Sequence, residues 1–171
     1  MMSPCVLWLD EIEKGVSSGV GDQGTSQRLL GTLLTWMAER TSLVFMVATS
    51  NDISQLPPEL VRKGRLDEIF FVDLPDSATR ELIFKIHLER RRETIDRFNL
   101  EHLAVITDGF SGAEIEQLVV SALYKSAARE EVLEISNLTD AINSTNPLSI
   151  VMEEKITSLR RWAEGRTVQA G

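Results

Sequence analysis

Two adjacent carboxylates, Asp10 and Glu11, follow directly on the apolar run Cys5-Val6-Leu7-Trp8-Leu9. That run is too short to cross a bilayer and suits a strand buried on both faces of a parallel sheet. The acids then emerge at the strand's carboxyl end, the edge at which open α/β sheets bind ligands. Where such pairs act on phosphates, the first acid holds a divalent cation through water and the second orients or deprotonates the attacking water. The pattern alone leaves another reading open, a strand running into a solvated loop.

A second stretch carries polar groups in order: Ala48-Thr49-Ser50-Asn51, then Leu56-Pro57-Pro58-Glu59-Leu60-Val61-Arg62-Lys63-Gly64-Arg65-Leu66-Asp67. Two arginines three apart, separated by Lys63-Gly64, read most simply as a surface helix ending on a glycine cap. A guanidinium also offers fixed charge and forked donors that match phosphate oxygens. His87, alone on a helical stretch, reads by itself as a surface or packed residue.

The elements that must position these groups follow from periodicity. After the strand ending at Leu9, residues Gly15 to Ser26 are Gly-, Ser- and Asp-rich and read as a mobile loop. Gln27 to Arg40 carries Leu29, Leu30, Leu33, Leu34, Trp36 and Met37 at helical spacing, with Thr25 or Ser26 as N-cap. Ser42 to Thr49 is a second apolar run, which makes strand, helix and strand one right-handed crossover unit. An irregular segment with Pro57 and Pro58 follows, then a short helix around Glu59 to Lys63 and a β-type run from Ile69 to Asp73. Beyond Leu74-Pro75-Asp76 the pattern is helical only. Asp76 or Ser77 caps a helix to about Arg92, Asn99 a short one to about Thr107, and Ser111-Gly112-Ala113-Glu114 forms a capping box for one to about Arg129. Ser136 to Asn143 and Ser149 to Ala163 complete the series. The predicted organisation is an α/β part over 1–75 and a helical part over 76–171. Trp8, Trp36 and Trp162 are expected as core or interface aromatics, and Cys5 as a small buried apolar residue.

Composition narrows the function classes. The 171 residues are 43% apolar and 26% charged, with 18 Lys and Arg against 26 Asp and Glu and a net charge of −8. A nucleic-acid footprint needs a basic stripe, and the one dense basic cluster, Arg90-Arg91-Arg92, lies between Glu89 and Glu93 as a solvated face. Neither a nucleic-acid partner nor a membrane is therefore expected. The single cysteine, Cys5, fits a reducing compartment, and with no signal-peptide pattern the expected location is cytoplasmic.

Taken in order, these motifs resemble the AAA ATPases. Leu7 to Glu11 looks like the Walker B motif, and the stretch from Ala48 through Asp67 looks like the second region of homology. The likeness continues through Lys85-Ile86-His87 and Gly109-Phe110-Ser111-Gly112-Ala113-Glu114-Ile115. The resemblance implies a P-loop NTPase parallel sheet, present in part, followed by an all-α lid. It implies that Asp10 holds Mg²⁺, that Glu11 activates water, and that Asn51 hydrogen-bonds the attacking water or the γ-phosphate of ATP. It implies that Arg62 and Arg65 are arginine fingers reaching a neighbouring subunit's γ-phosphate, and that His87, Gly112 and Ala113 lie along adenine. The intact protein would then be a ring-like homo-oligomer that hydrolyses Mg-ATP to remodel a protein or complex, with no substrate indicated. Within the family, Leu-Trp-Leu-Asp-Glu-Ile-Glu-Lys-Gly resembles bacterial and plastid AAA proteins.

The family pattern is incomplete in this sequence. No Gly-x-x-x-x-Gly-Lys-Ser/Thr occurs, and the cluster Gly19 to Gly24 lacks the lysine. The chain therefore reads as the C-terminal part of an AAA module. Alone it is expected to be inactive, because phosphates need a cradle of N–H donors that carboxylates cannot replace. In the family's sheet the P-loop strand lies between the strands Ser42–Thr49 and Ile69–Asp73, so these are expected to close on one another or to pair with a second copy. The alternative function is a non-catalytic regulatory or assembly subunit that lends Arg62 and Arg65 to a partner. A DNA-handling relative is disfavoured by the acidic balance.

Overall fold

The computed structural model describes residues 4–16, 23–62 and 64–170, with side chains of 23–26 excepted. It divides into two compact units, residues 1–70 with 165–168 and residues 71–164 with 169–171.

In the first unit, β1 (Cys5–Leu9) pairs in parallel with β2 (Val44–Ala48), in the register Cys5 to Val44 through Leu9 to Ala48. Between them run α1 (Ile12–Val16) and α2 (Gln23–Glu39). Helix α2 presents Leu30, Leu33, Leu34 and Trp36 to a small core of Val16, Met37 and Leu60, which Met46 of β2 joins. The helix starts at Gln23, ahead of the expected Thr25 or Ser26 cap, and α1 occupies the start of the expected loop. The rest of that loop, 17–22, lies outside the described residues.

The two-strand sheet is not buried on both faces. Side chains alternate along a strand, and while Cys5, Leu7 and Leu9 are half-buried, Val6, Trp8 and Phe45 share the other face at 68%, 61% and 70% exposure. Trp8 is thus an exposed aromatic in this chain, and Cys5 is not fully buried. The expected helix at Glu59 to Lys63 is instead a set of turns, with Leu60 N–H donating to Pro57 O (2.9 Å). Gly64 takes φ +93°, a left-handed value that suits glycine and turns the chain away. Strand β3 is only Phe70–Phe71, and it pairs with β4 (Val168–Gln169) in a sheet separate from β1 and β2. The expected closure of the second and third strands on each other is therefore not found. The donors that satisfy β3 come from far along the chain, with Val168 N–H on Ile69 O (2.9 Å) and Ala170 N–H on Phe71 O (3.0 Å).

The second unit is helical: α3 (Ser77–Arg90), α4 (Leu100–Ile106), α5 (Gly112–Ala128), α6 (Ile135–Asn143), α7 (Leu148–Val151) and α8 (Glu153–Ala163). Three starts follow local sequence rules. Asp76 accepts from Thr79 N–H (2.7 Å), and Asn99 accepts from His102 N–H (2.9 Å). The Ser111 and Glu114 side chains cap reciprocally. Helix α6 starts one residue earlier than expected, capped by Glu134, and the expected last helix is split at Met152 into α7 and α8. The core joins Phe84 and Leu88 of α3, Leu103 of α4, Ile115, Leu118, Val119 and Ala122 of α5, and Leu138 and Ile142 of α6. Arg80 is buried among them, donating from Nε to Ala104 O (2.9 Å) and from Nη1 to Pro75 O (2.7 Å), with Nη2 3.1 Å from Asp108 Oδ1.

Candidate functional site

The acid pair sits where β1 ends. Asp10 is exposed and Glu11 half-buried, and the carboxyl end of β2 delivers Thr49 and Asn51 beside them. The Thr49 hydroxyl is the junction: it donates to Asp10 Oδ1 (2.5 Å) and accepts from Glu11 N–H (3.0 Å). Backbone bonds lengthen this seam, Thr49 N–H on Leu9 O and Ile12 N–H on Thr49 O, both 2.9 Å. Glu11 has φ +48°, a left-handed conformation that is uncommon outside glycine and persists only where surrounding contacts hold it.

Both oxygens of Glu11 are engaged. Asn51 Nδ2 donates to Oε1 (3.0 Å) and the Lys14 ammonium pairs with Oε2 (2.5 Å). Glu11 in turn holds the Lys14 ammonium above its ordinary pKa, by hydrogen bond first and charge second. Behind the pair lies Glu13, 4% exposed, whose Oε1 accepts from Asn51 N–H (3.0 Å). Its Oε2 is buried without a hydrogen-bond partner among the described residues. Burial pushes the Glu13 carboxyl up, but donors from Asn51 N–H, its own backbone and Ser50 outweigh this and hold it below its ordinary 4.5.

The structure thus brings Asp10, Glu11 and Asn51 within one hydrogen-bonded constellation. Arg62 and Arg65 lie in the same unit, on the turns after Leu60; Arg62 is exposed, and Arg65 Nη1 donates to Glu59 O. Among the described residues neither is bonded to the acids or to Asn51. Lys63 lies outside the described residues. His87, Gly112 and Ala113 belong to the second unit. The His87 ring, 13% exposed, has Nδ1 3.4 Å from Glu116 Oε1 and 3.3 Å from Arg91 Nη1. Burial is the largest cause of its lowered pKa, with Glu116 acting in the opposite sense. Gly112 begins α5 where a Cβ would stand 3.4 Å from Ile83 Cδ1, and Ala113 is exposed.

The donor set at Asp10 fits Mg²⁺. That ion keeps several waters and takes one or two carboxylates together with substrate phosphates. Asp10 is exposed, with Oδ1 oriented by Thr49. Among the described residues no group of three or more His, Cys, Asp or Glu could hold a metal by itself, so a cation at Asp10 would need further ligands such as water and phosphate. Chemically, the constellation can hold a hydrated cation at one carboxylate and take up a proton at the other.

Thr49, Glu13 and Lys14 were not singled out from sequence. Thr49 ends the second apolar run, and Glu13 and Lys14 follow the acid pair after Ile12, but no periodicity marks a buried carboxylate on a short helix.

The profile of the ATPase family associated with various cellular activities (AAA) matches residues 1–74, and that of the AAA+ lid domain matches residues 97–140. Together they cover more than half of the chain. It belongs to the AAA ATPase family. An uncharacterized AAA domain-containing protein ycf46 of Pyropia yezoensis is 43% identical over 99% of the chain, which spans 35% of that relative. A proteasome-activating nucleotidase of Saccharolobus solfataricus is 35% identical over 95% of the chain, which spans 42% of it. The chain thus spans about a third of the length of its ycf46 relative. The FIGL-1 AAA domain superposes with a TM-score of 0.78 at 20% identity, over 95% of this chain and 57% of that one, and was also solved with ADP. The AAA fold is accordingly a P-loop NTPase sheet in part, followed by a helical lid. No helix among the described residues is long and apolar enough to cross a membrane.

Proposed function

We propose that this AAA chain contributes the water-activating and neighbour-sensing residues of an ATPase that hydrolyses Mg-ATP within a ring-like homo-oligomer and uses the cycle to remodel a protein or complex. The observation that carries the reading is the bond from Asn51 Nδ2 to Glu11 Oε1, made beside an Asp10 that Thr49 orients. Asp10, with its exposed carboxylate oriented by Thr49, would hold the cation. Mg²⁺, when bound, neutralises charge on the phosphates. Glu11 orients the attacking water and accepts its proton, which requires the Lys14 ammonium to leave Oε2. Asn51 shares the water or the γ-phosphate with Glu11 through its amide.

Arg62 and Arg65 act on a neighbouring subunit, where a fixed guanidinium charge stabilises the transferring phosphoryl group by roughly 10³ to 10⁵ in rate. The exposure of Arg62 supports an intermolecular role. Arg65 must first release Glu59 O. His87, Gly112 and Ala113 form the adenine side, and Ala113, in the first turn of α5, is exposed. These 171 residues carry no glycine-lysine phosphate motif, so alone they are expected not to turn over ATP. The acidic balance supports a protein partner over nucleic acid, and the single cysteine supports a reducing, cytoplasmic setting.

The deciding experiment is Glu11→Gln in the whole protein. ATP binding should persist while turnover is abolished. Turnover at the parental rate in that variant would remove Glu11 from its role and the reading with it.

A further inference from the structure

A carboxylate buried behind a proposed catalytic pair, with one oxygen lacking a hydrogen-bond partner among the described residues, requires an explanation beyond packing. An apolar side chain at this place would avoid the desolvation of an ionised group. Glu13 is 4% exposed, it is on a helix whose other buried residue, Val16, is apolar, and nothing in the hydrolysis scheme uses it. Among the donors it accepts from is the main-chain N–H of Asn51, 38 residues away in sequence.

Asn51 is exposed, in a bend after the last residue of β2, with no regular structure of its own. The next residue turns away on its own local bonds, Asp52 N–H on Ser50 Oγ (3.3 Å) and Ser54 N–H on Asp52 Oδ1 (3.2 Å). A side-chain amide carried on such a segment has no fixed distance to Glu11 unless its backbone is held. Glu13 Oε1 supplies that hold at 3.0 Å, from the same chain segment that carries Glu11. Glu11 and Glu13 therefore grip one residue at two points, the side-chain amide and the main-chain N–H.

We propose that Glu13 is a positioning residue: its buried carboxylate anchors the main chain of Asn51 and thereby sets the reach of the Asn51 amide to Glu11. The role rests on the reading of Glu11 and Asn51 given above. Its physical content is preorganisation, since a displacement of about 1 Å in such a constellation costs on the order of a hundredfold in rate. Glutamine keeps the shape and an acceptor oxygen, whereas alanine keeps neither.

The test compares Glu13→Ala and Glu13→Gln by two readouts. In the 171-residue chain, hydrogen exchange at Asn51 N–H should accelerate about tenfold or more in Glu13→Ala and stay near the parental value in Glu13→Gln. In the whole protein, kcat should fall about tenfold to a hundredfold in Glu13→Ala with KM for ATP little changed, and Glu13→Gln should restore most of it. Unchanged exchange at Asn51 in both variants overturns the proposal whatever the kinetics. A shifted Asn51 with parental kcat, in a protein that Glu11→Gln inactivates, overturns the positioning role and leaves the ATPase reading standing. Retained turnover in Glu11→Gln overturns both. If Glu13→Ala does not fold, Glu13→Gln decides alone, since loss of kcat with Asn51 N–H still protected contradicts anchoring through the acceptor.

Discussion

The hydroxyl of Thr49 offers the sharpest test of how the acid site is held. Thr49→Val removes it at nearly constant volume, and with it two bonds, the donation to Asp10 Oδ1 at 2.5 Å and the acceptance from Glu11 N–H at 3.0 Å. The Glu11 N–H is partly buried and would lose its acceptor, which costs about 1 to 2 kcal/mol. Asp10 is exposed, so water replaces much of the lost donation, and that bond adds about 0.5 to 1 kcal/mol. The sum is about 2 kcal/mol, and Glu11, held at φ +48° by these contacts, has no reason to recover it. Thr49→Ser keeps the hydroxyl and loses one half-buried methyl, for roughly 0.5 kcal/mol. The assay is urea unfolding followed by tryptophan fluorescence in a Trp162→Phe background, so that Trp8 and Trp36 of the first unit report. With a slope of about 2 kcal/mol per molar, the midpoint should drop by roughly 1 M in Thr49→Val and by about 0.25 M in Thr49→Ser. Equal midpoints for the two variants would refute the claim that the hydroxyl, and not the side chain's packing, joins the strands.

Further expectations follow from the other buried and paired groups. Because the Glu13 carboxyl is held below its ordinary 4.5, it contributes stability that is present above pH 4.5 and is lost as pH falls through the lower folded value. Glu13→Gln should therefore flatten the acid branch of first-unit stability below pH 4.5, read as urea midpoints from pH 7 to 3. Arg80→Met should cost the second unit about 2 to 3 kcal/mol in thermal unfolding. It strips partners from Ala104 O and Pro75 O, while Asp108, 87% exposed, stays solvated. Arg160 holds Asp73 from Nε and Nη2 at 2.9 to 3.0 Å, and a double-mutant cycle should give a coupling of only about 0.5 to 1 kcal/mol, because both side chains are a third or more exposed.

Local rules made much of the framework legible. Apolar runs bounded by breakers read as β1 and β2, the leucine spacing read as α2, and Asp76, Asn99 and the Ser111–Glu114 box cap helices where their side chains suggest. Each of these depends on neighbours within about four residues, which a sequence displays directly. The same rules overreached where an element's fate lies elsewhere. A continuous apolar run reads as a doubly covered strand, yet in this chain Val6 and Trp8 stay exposed. The run from Ile69 pairs for two residues only, with a segment near residue 168 that has no strand pattern of its own.

By itself, then, the sequence determined which residue types could do phosphate chemistry, the order in which they occur, and the strands and helices that carry them. Tertiary structure alone decided that the Thr49 hydroxyl joins Asp10 to Glu11 and that Glu13 is turned inward onto the main chain of Asn51. The reason is one of range. Burial and cross-strand hydrogen bonding depend on what the fold brings alongside from 38 or more residues away, and a carboxylate reads the same in sequence whether it faces water or a backbone N–H.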